Sequence, residues 1–261
     1  MLMSLQVIEW NDLSEMPGAD YKSVDSAMTI GVFDGVHLGH QELIKRIVQQ
    51  GPNPTIVTFR ENPKKFFSPE TYEGDIYTLN QKLAVFGQLG ISRVILIDFS
   101  PKFSKLTGTE FLGLLEKWGK MIFLAIGSNF RCGYRKGTDV NDIKEMNIRK
   151  GIPTELIKTV KVADSFVSSS QIKSAINSGN LIQASVLLGR NLELDLTGIQ
   201  PIDHKTEGFV YDPGAVNRIV PANGKYPVFI NPGRIRGRAI TENGKVYLQK
   251  TIGQVDSLEF I

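Results

Sequence analysis

Two histidines and three glycines lie together in one short segment and predict a binding site for an anion. Residues 29–40 read Thr-Ile-Gly-Val-Phe-Asp-Gly-Val-His-Leu-Gly-His and contain His37 and His40, two of the three histidines in the chain. Gly35 and Gly39 let the backbone come close to a ligand, and a helix that begins here offers unpaired N–H groups. The segment therefore predicts a phosphate-binding turn, with His37 and His40 as candidate catalytic side chains. The alternative is a pair of histidines that only cap a helix.

The hydrophobic pattern predicts a strand before this turn and a helix after it. The strand ends at Phe33, and the helix runs to about Gln50. A further apolar segment at 55–59 predicts the next strand, which completes a β-α-β unit. This unit favours a parallel sheet. Proteins with such a sheet bind their ligands at the carboxyl ends of the strands.

The segment G-x-F-D-G-V-H-x-G-H resembles the motif of the nucleotidyltransferase superfamily. In this full form it is similar to the bacterial bifunctional riboflavin kinase/FMN adenylyltransferase (FAD synthetase) family, and the resemblance extends over residues 26–190. It implies that the motif binds the phosphates of ATP. Asp34 is expected to orient the turn and not to bind a metal. The nucleotide-binding residues implied here are Gly31, Phe33, Asp34, Gly35 and Gly39.

A second phosphate clamp is predicted at Ser169, Ser170 and Lys173. Hydroxyl groups at a helix start, with a cation one turn later, suit a phosphate. The stretch 166–176 resembles the family pattern I-S-S-T-x-I-R-x-x-L, with Ser170 in place of Thr and Lys173 in place of Arg. Lysine lacks the two-pronged grip of arginine, so weaker ATP binding is expected. Lys173 is the third candidate catalytic residue, and the alternative is an ordinary helix N-cap.

A glycine-rich loop at 127–137 resembles the family pattern G-x-[DN]-F-R-F-G-x-x-R-x-G, with Cys132 in place of the second Phe. Asn129 can hydrogen-bond to a ring edge, Phe130 can stack on a planar ring, and Arg131 can pair with phosphate or with the protein itself. The resemblance implies flavin binding by these three residues. The alternative is a loop whose Phe belongs to the core.

Two regions depart from the family pattern. After the strand at 55–59 the family has an acidic residue, Pro, His and Pro, whereas this chain has Arg60, Glu61 and Asn62 before the matching Pro63. After Arg190 the chain has short alternating runs between Gly, Pro and Asn turns, which indicate a small β-barrel. The kinase motif G-x-P-T-x-N is absent from the sequence, so riboflavin kinase activity is not expected.

The predicted fold class is α/β. Residues 1–189 are expected to form a Rossmann-like nucleotidyltransferase domain with a parallel sheet. Residues 190–261 are expected to form a small β-rich domain, a degenerate and reduced riboflavin-kinase-like barrel.

Composition narrows the class of protein. The 261 residues carry 30 basic and 27 acidic side chains, a net charge of +3 that gives no strong case for nucleic acid. Cys132 is the single cysteine, which excludes an internal disulfide and fits a reducing cytoplasm. No apolar run reaches the about 18 residues that a membrane span needs. We expect a cytoplasmic protein that binds small molecules and neither nucleic acid nor membrane; the sequence does not indicate its oligomeric state.

The expected function is FMN adenylyltransferase activity, in which ATP and FMN are substrates and FAD is a product. Mg²⁺ is expected with the nucleotide, held by phosphate and water, and no residue is expected to ligate it. One alternative is transfer to a different phosphorylated acceptor. Another is a catalytically impaired paralogue that binds flavin or nucleotide, since the departures at residues 60–62, Ser170 and Lys173 fall in ligand loops.

Overall fold

The computed structural model describes residues 5–13, 24–51, 53–163, 165–204, 208–248 and 255–261. The described residues fall into two compact units. The first unit contains the described residues within Met1–Phe33, Gly39–Pro69 and Leu83–Val160. The second unit contains the described residues within Asp34–Leu38, Glu70–Lys82 and Lys161–Ile261. The domain boundary after residue 189 stays a prediction.

Six parallel strands form the sheet of the first unit. In chain order they are β1 (Gln6–Glu9), β2 (Ser26–Ile30), β3 (Pro54–Phe59), β4 (Arg93–Ile97), β5 (Met121–Gly127) and β6 (Thr154–Ile157). Their order in the sheet is β1-β4-β3-β2-β5-β6. The chain proceeds from β2 to β3 and β4 and then returns to the other side of β2 at β5. The strand order therefore reverses between β2 and β5, and such a reversal is where open α/β sheets bind ligands.

Five helices connect strands β2 to β6, and the short α2 among them was not predicted from the sequence, which indicated a loop there. They are α1 (Leu38–Gln50), α2 (Pro63–Phe67), α3 (Leu79–Gln88), α4 (Gly108–Gly119) and α5 (Val140–Arg149). Local sequence fixes where several begin. Thr107 and Glu110 form a capping box at the start of α4, and Asp139 and Asp142 do the same for α5. The parallel α/β architecture is confirmed.

Both faces of the central strands are buried. Ile95 and Ile97 of β4 lie in a hydrophobic cluster with Phe111 and other residues of α4, α5 and the neighbouring strands. Val94 and Leu96, which alternate with them and point to the opposite face, are at most 1% exposed. An apolar run without alternation is what a parallel strand between two helical layers needs.

The second unit contains two short helices and an antiparallel sheet. The helices are α6 (Ser169–Asn177) and α7 (Leu181–Leu188), preceded by a small hairpin of β7 (Lys161–Val162) and β8 (Ser165–Phe166). The strands of the sheet are β9 (Glu193–Asp195), β10 (Ile202–His204), β11 (Gly208–Tyr211), β12 (Gly224–Asn231), β13 (Ile235–Glu242), β14 (Lys245–Leu248) and β15 (Ser257–Phe260). Their order is β10-β11-β14-β13-β12-β15-β9. The β-rich segment after α7 is confirmed.

Long apolar helices are missing from the part of the chain that the structure describes. None of its helices has both the length and the hydropathy that a membrane crossing requires.

Candidate functional site

The backbone of the histidine turn is held in an uncommon conformation. Between the end of β2 and the start of α1, Phe33, Gly35 and Val36 have positive φ angles of 55°, 76° and 42°. A β-branched residue such as Val36 rarely adopts such an angle. A Cβ at Gly35 would lie 3.1 Å from a side-chain carbon of Ile76 and 3.2 Å from one of Leu188. Glycine is thus needed at position 35 for its φ angle and for its lack of a side chain.

Asp34 anchors the turn from inside the second unit. Its Oδ1 accepts hydrogen bonds from the backbone N–H groups of Ile76, at 2.8 Å, and Tyr77, at 3.4 Å. Its Oδ2 lies 2.9 Å from Nζ of Lys173, and both side chains are buried. Burial raises the pKa of Asp34, and the charge of Lys173 opposes that rise. Through these contacts the carboxylate of Asp34 holds the turn in place.

Lys173 points into the protein. Besides Asp34, its ammonium group donates to the carbonyl of Gly74 and lies 5.4 Å from the ring centroid of Tyr72. The residue is 7% exposed. Lys82, which the sequence reasoning did not select, is also buried, and desolvation lowers its pKa while Asp75 and Asp34 raise it. The phosphate contact expected of Lys173 stays a prediction.

The serine run begins α6 and reaches the histidine turn. Ser168 is the N-cap, because its side chain accepts the N–H of Gln171 at 3.3 Å. Ser169 donates its hydroxyl to the carbonyl oxygen of Asp34 at 3.1 Å, and Ser170 is exposed. Ser168 was missed as the capping residue, since three consecutive serines are equally good caps by residue type. The two predicted phosphate segments therefore meet in the second unit through Ser169 and Lys173.

The two histidines differ in environment. His37 is 6% exposed, and burial lowers its pKa to about 4, with the charge of Arg190 adding to the effect. Its imidazole is therefore neutral near pH 7 and can donate only one N–H group. His40 lies in the first turn of α1 and is half-buried. His40 is the more accessible of the two imidazoles.

Phe33 sets the position of the His40 ring. It is fully buried, with its ring centroid 5.0 Å from that of His40 and 5.7 Å from that of Phe86. A Cβ at Gly31 would lie 3.2 Å from the Phe33 ring, so the absence of a side chain at position 31 makes room for it. Gly39 is half-buried beside His40 in α1. Phe33 contributes to the turn through packing.

The loop after β5 presents polar side chains to solvent. Asn129 and Arg131 are exposed, and Arg131 donates its Nε–H to the carbonyl of Lys136 at 3.0 Å. Phe130 is partly buried against the hydrophobic cluster of the first unit. Cys132 pairs with Thr138 through two backbone hydrogen bonds that close the loop. Burial raises the pKa of the Cys132 thiol to about 11, which keeps it protonated.

An exposed aromatic cluster was missed by the sequence reasoning. Phe66 and Phe67 of α2 are 51% and 64% exposed, and their ring centroids lie 5.4 Å and 5.1 Å from that of Phe99, which follows β4. The signal was the start of α2, where Asn62 caps the helix and Pro63 occupies its first position. Exposed aromatic rings in contact with one another often mark a binding surface.

The parallel sheet gathers these features at one edge. Phe33 follows β2, the aromatic cluster follows β3 and β4, and Asn129 follows β5. The carboxyl ends of parallel strands share an edge, so these segments leave the first unit on the same side. Those after β2 and β5 flank the reversal of strand order.

Comparison with known proteins identifies the family. The family model described as FAD synthetase matches residues 20–171, more than half of the chain. This chain belongs to the FAD synthetase family. The matched region includes the histidine turn, the loop after β5 and both predicted clamp serines, and it ends before Lys173.

The names of relatives of this FAD synthetase family member state two activities. The bifunctional riboflavin kinase/FMN adenylyltransferase of Pseudomonas fluorescens is 31% identical over 167 residues, which are 62% of this chain and 53% of the relative. The protein of the same name from Bacillus subtilis is 29% identical over 171 residues, 63% of this chain and 54% of the relative. The chain therefore spans about half the length of these relatives.

A solved structure shares the fold over nearly the whole chain. The macrolide-efflux protein from Streptococcus pneumoniae superimposes with a TM-score of 0.76 and 22% sequence identity, over 97% of this chain and 89% of that one. At this identity the likeness concerns the fold alone.

Proposed function

We propose that this chain is an FMN adenylyltransferase, which transfers AMP from ATP to FMN and releases pyrophosphate. One observation carries the proposal. The family's nucleotide motif follows β2 and its flavin motif follows β5, and these two strands flank the reversal of strand order in the sheet. An enzyme that joins a nucleotide to a flavin needs both binding segments at one edge.

The histidine turn is the proposed site for the ATP phosphates. The first N–H groups of α1 carry partial positive charge, and His40 projects from its first turn. A neutral His37 donates a hydrogen bond without adding a charge. Ser169, Ser170 and Lys173 are the proposed second clamp. The ammonium group of Lys173 also contacts Asp34.

The reaction needs no protein nucleophile. An oxygen of the FMN phosphate attacks the α-phosphorus of ATP, and a new P–O bond forms. The bond from that phosphorus to the oxygen bridging to the β-phosphate breaks, and pyrophosphate leaves with its electrons. Alignment of the two phosphates and stabilisation of the developing charge supply the catalysis. His37 and His40 are the groups proposed to donate hydrogen bonds to that charge.

Mg²⁺ is proposed to arrive as part of the MgATP substrate. In the described portion of the chain, no three His, Cys, Asp or Glu side chains are grouped so that they could hold a metal ion. Asp34, the carboxylate of the motif, is bound to Lys173. The phosphate oxygens of the nucleotide are therefore the proposed ligands of the ion.

Flavin is the proposed acceptor. Asn129 and Arg131 offer donors for the flavin and its phosphate, and Phe130 lies between them. The aromatic cluster of Phe66 and Phe67 with Phe99 adds exposed rings at the same edge of the first unit, and an isoalloxazine ring can stack on them.

Riboflavin kinase activity is proposed to be absent. The chain lacks the motif G-x-P-T-x-N. After α7, the described residues form strands and one short 3-10 helix. This sheet then has another role than phosphorylation of riboflavin.

One assay separates the candidate functions. The purified chain is incubated with MgATP and one acceptor, which is FMN, riboflavin or phosphopantetheine. Products are resolved by chromatography while pyrophosphate is measured. We expect FAD from FMN and no FMN from riboflavin. FMN formation from riboflavin contradicts the missing kinase. AMP transfer to phosphopantetheine but not to FMN contradicts the flavin acceptor.

A nucleotide-binding paralogue without activity is the second candidate. The burial of His37 and the engagement of Lys173 with Asp34 favour it. Calorimetric binding of FMN and ATP with no pyrophosphate release is the result that selects it.

A further inference from the structure

Arg190 forms hydrogen bonds with the backbone of the histidine turn. Its guanidinium group donates to the carbonyl oxygen of Gly35 and, through Nη1 at 3.1 Å, to that of Val36. Nη1 also donates to the carbonyl of Leu188 at 3.1 Å, and Nε donates to the Tyr77 hydroxyl at 3.0 Å. The guanidinium lies 4.8 Å from the centroid of the Tyr77 ring. All five residues belong to the second unit.

These bonds determine which way the peptides before His37 face. In a trans peptide the carbonyl and the N–H point in opposite directions. With the carbonyls of Gly35 and Val36 directed at Arg190, the N–H groups of Val36 and His37 are directed away from it. Two consecutive N–H groups on one side of a turn form a concave site for an anion.

We propose that Arg190 is a positioning residue that sets the orientation of the histidine turn for the phosphates of ATP. The proposal rests on the function proposed above. Arginine suits the role because its planar fork binds two acceptors at once, which a lysine cannot do with the same geometry. Val36 sits at a φ angle of 42°, so its peptide would relax if its carbonyl lost this partner.

The chain offers a matched control. Arg218 is also a partly buried arginine whose guanidinium donates to two backbone carbonyls, those of Asp195 and Thr197. Neither carbonyl belongs to the histidine turn. We therefore compare three variants: Arg190→Ala and Arg190→Lys change the arginine at the turn, and Arg218→Ala removes a similar arginine elsewhere in the same unit.

Kinetics give the first readout. A misplacement of about 1 Å in a reactive site can cost about 100-fold in rate. We expect Arg190→Ala to lower kcat for FAD formation by about 100-fold, Arg190→Lys by about 10-fold, and Arg218→Ala by less than about 2-fold. The KM for FMN is expected to stay unchanged in all three. Guanidinium ion, added well below denaturing concentrations, is expected to restore part of the rate of Arg190→Ala and none of that of His40→Ala.

Hydrogen–deuterium exchange gives a readout that does not depend on catalysis. In the ligand-free protein, Arg190→Ala is expected to speed amide exchange at residues 35–38 and to leave β12 and β13 unchanged. MgATP affinity by calorimetry is expected to fall in parallel. If the wild type forms no FAD, the proposed function fails, while exchange and MgATP binding still test Arg190.

Two results with Arg190→Ala overturn the proposal. One is unchanged exchange at residues 35–38 in Arg190→Ala. The other is an equal loss of kcat in Arg190→Ala and Arg218→Ala without rescue by guanidinium, which shows general destabilisation. If Arg190→Ala does not fold, Arg190→Lys is used in its place, because it keeps a cation and removes the planar fork that binds both carbonyls; a rate and an exchange pattern equal to wild type then overturn the proposal.

Discussion

At the scale of single residues, the burial of His37 makes folding depend on pH. Its pKa in the folded protein is about 4, against about 6.5 when unfolded. Below pH 6.5 the unfolded chain binds a proton at this position that the folded protein does not bind. The free energy of unfolding therefore falls as the pH is lowered from 6.5 to 4, by up to about 3 kcal/mol from this group.

The measurement is urea denaturation at several pH values from 4 to 7, for the wild type and for His37→Gln. Glutamine does not titrate, so the decline toward pH 4 is expected to be shallower in the variant. Asp34 has a raised pKa, which acts in the opposite direction, and it is present in both proteins. Parallel curves for the two proteins would show that His37 is protonated in the folded state.

His40 is the residue whose removal tests the chemistry most directly. Loss of one donor to a developing charge lowers kcat by about 100- to 1000-fold in other enzymes. We expect His40→Ala to lose FAD formation to this extent while its unfolding midpoint changes little, because the side chain is half-buried and borders solvent. Turnover equal to wild type contradicts a role in the reaction.

At the scale of elements, Gly35 lies between β2 and α1, where both its φ angle and the close packing around it disfavour a side chain. Gly244 has the same φ angle without the packing, so comparing the two positions separates the two effects. Both glycines have a φ angle of 76°, but a Cβ at Gly244 meets nothing within 4 Å. Gly244→Ala is expected to cost about 1 kcal/mol for the φ angle alone. Gly35→Ala adds a close contact with Ile76 and Leu188, so about 1–3 kcal/mol more is expected.

The measurement is the free energy of unfolding from urea titration of both variants. Equal losses would mean that Ile76 and Leu188 move aside without cost. A larger loss in Gly35→Ala, together with lower FAD formation, is the expected result.

The elements were predictable from sequence, whereas the contacts that hold the turn were not. Hydrophobic spacing is a local signal, and it indicated the β-α-β unit of β2, α1 and β3 on which the histidine turn lies. Arg190 lies 155 residues from Gly35, and Lys173 lies far along the chain from Asp34. Such pairings depend on tertiary structure. A sequence motif can therefore indicate the ligand-binding residues, but it does not indicate the distant residues that orient them.

At the scale of the whole molecule, three segments that are far apart in the sequence build the second unit. Asp75 exchanges backbone hydrogen bonds with Asn217 and Ile219, and the Thr78 hydroxyl donates to Asp195 at 2.8 Å. Residues 70–82 therefore depend on strands that follow the predicted domain boundary at residue 189. The sequence pattern alone separates these segments, because it records composition and not the pairing of distant backbones.

Truncation after Gly189 tests that boundary. The fragment 1–189 lacks Arg190, Asp195 and the partners of Asp75, so the segments 34–38 and 70–82 lose contacts that the intact chain gives them. We expect the fragment to form no FAD and to unfold at a lower urea concentration than the full chain. Full-length Arg190→Ala is the control, because it removes the clamp on the turn while keeping the antiparallel sheet. A fragment that forms FAD at the rate of the full chain would establish residues 1–189 as an independent catalytic domain and would show that the contacts of residues 70–82 with the sheet are dispensable.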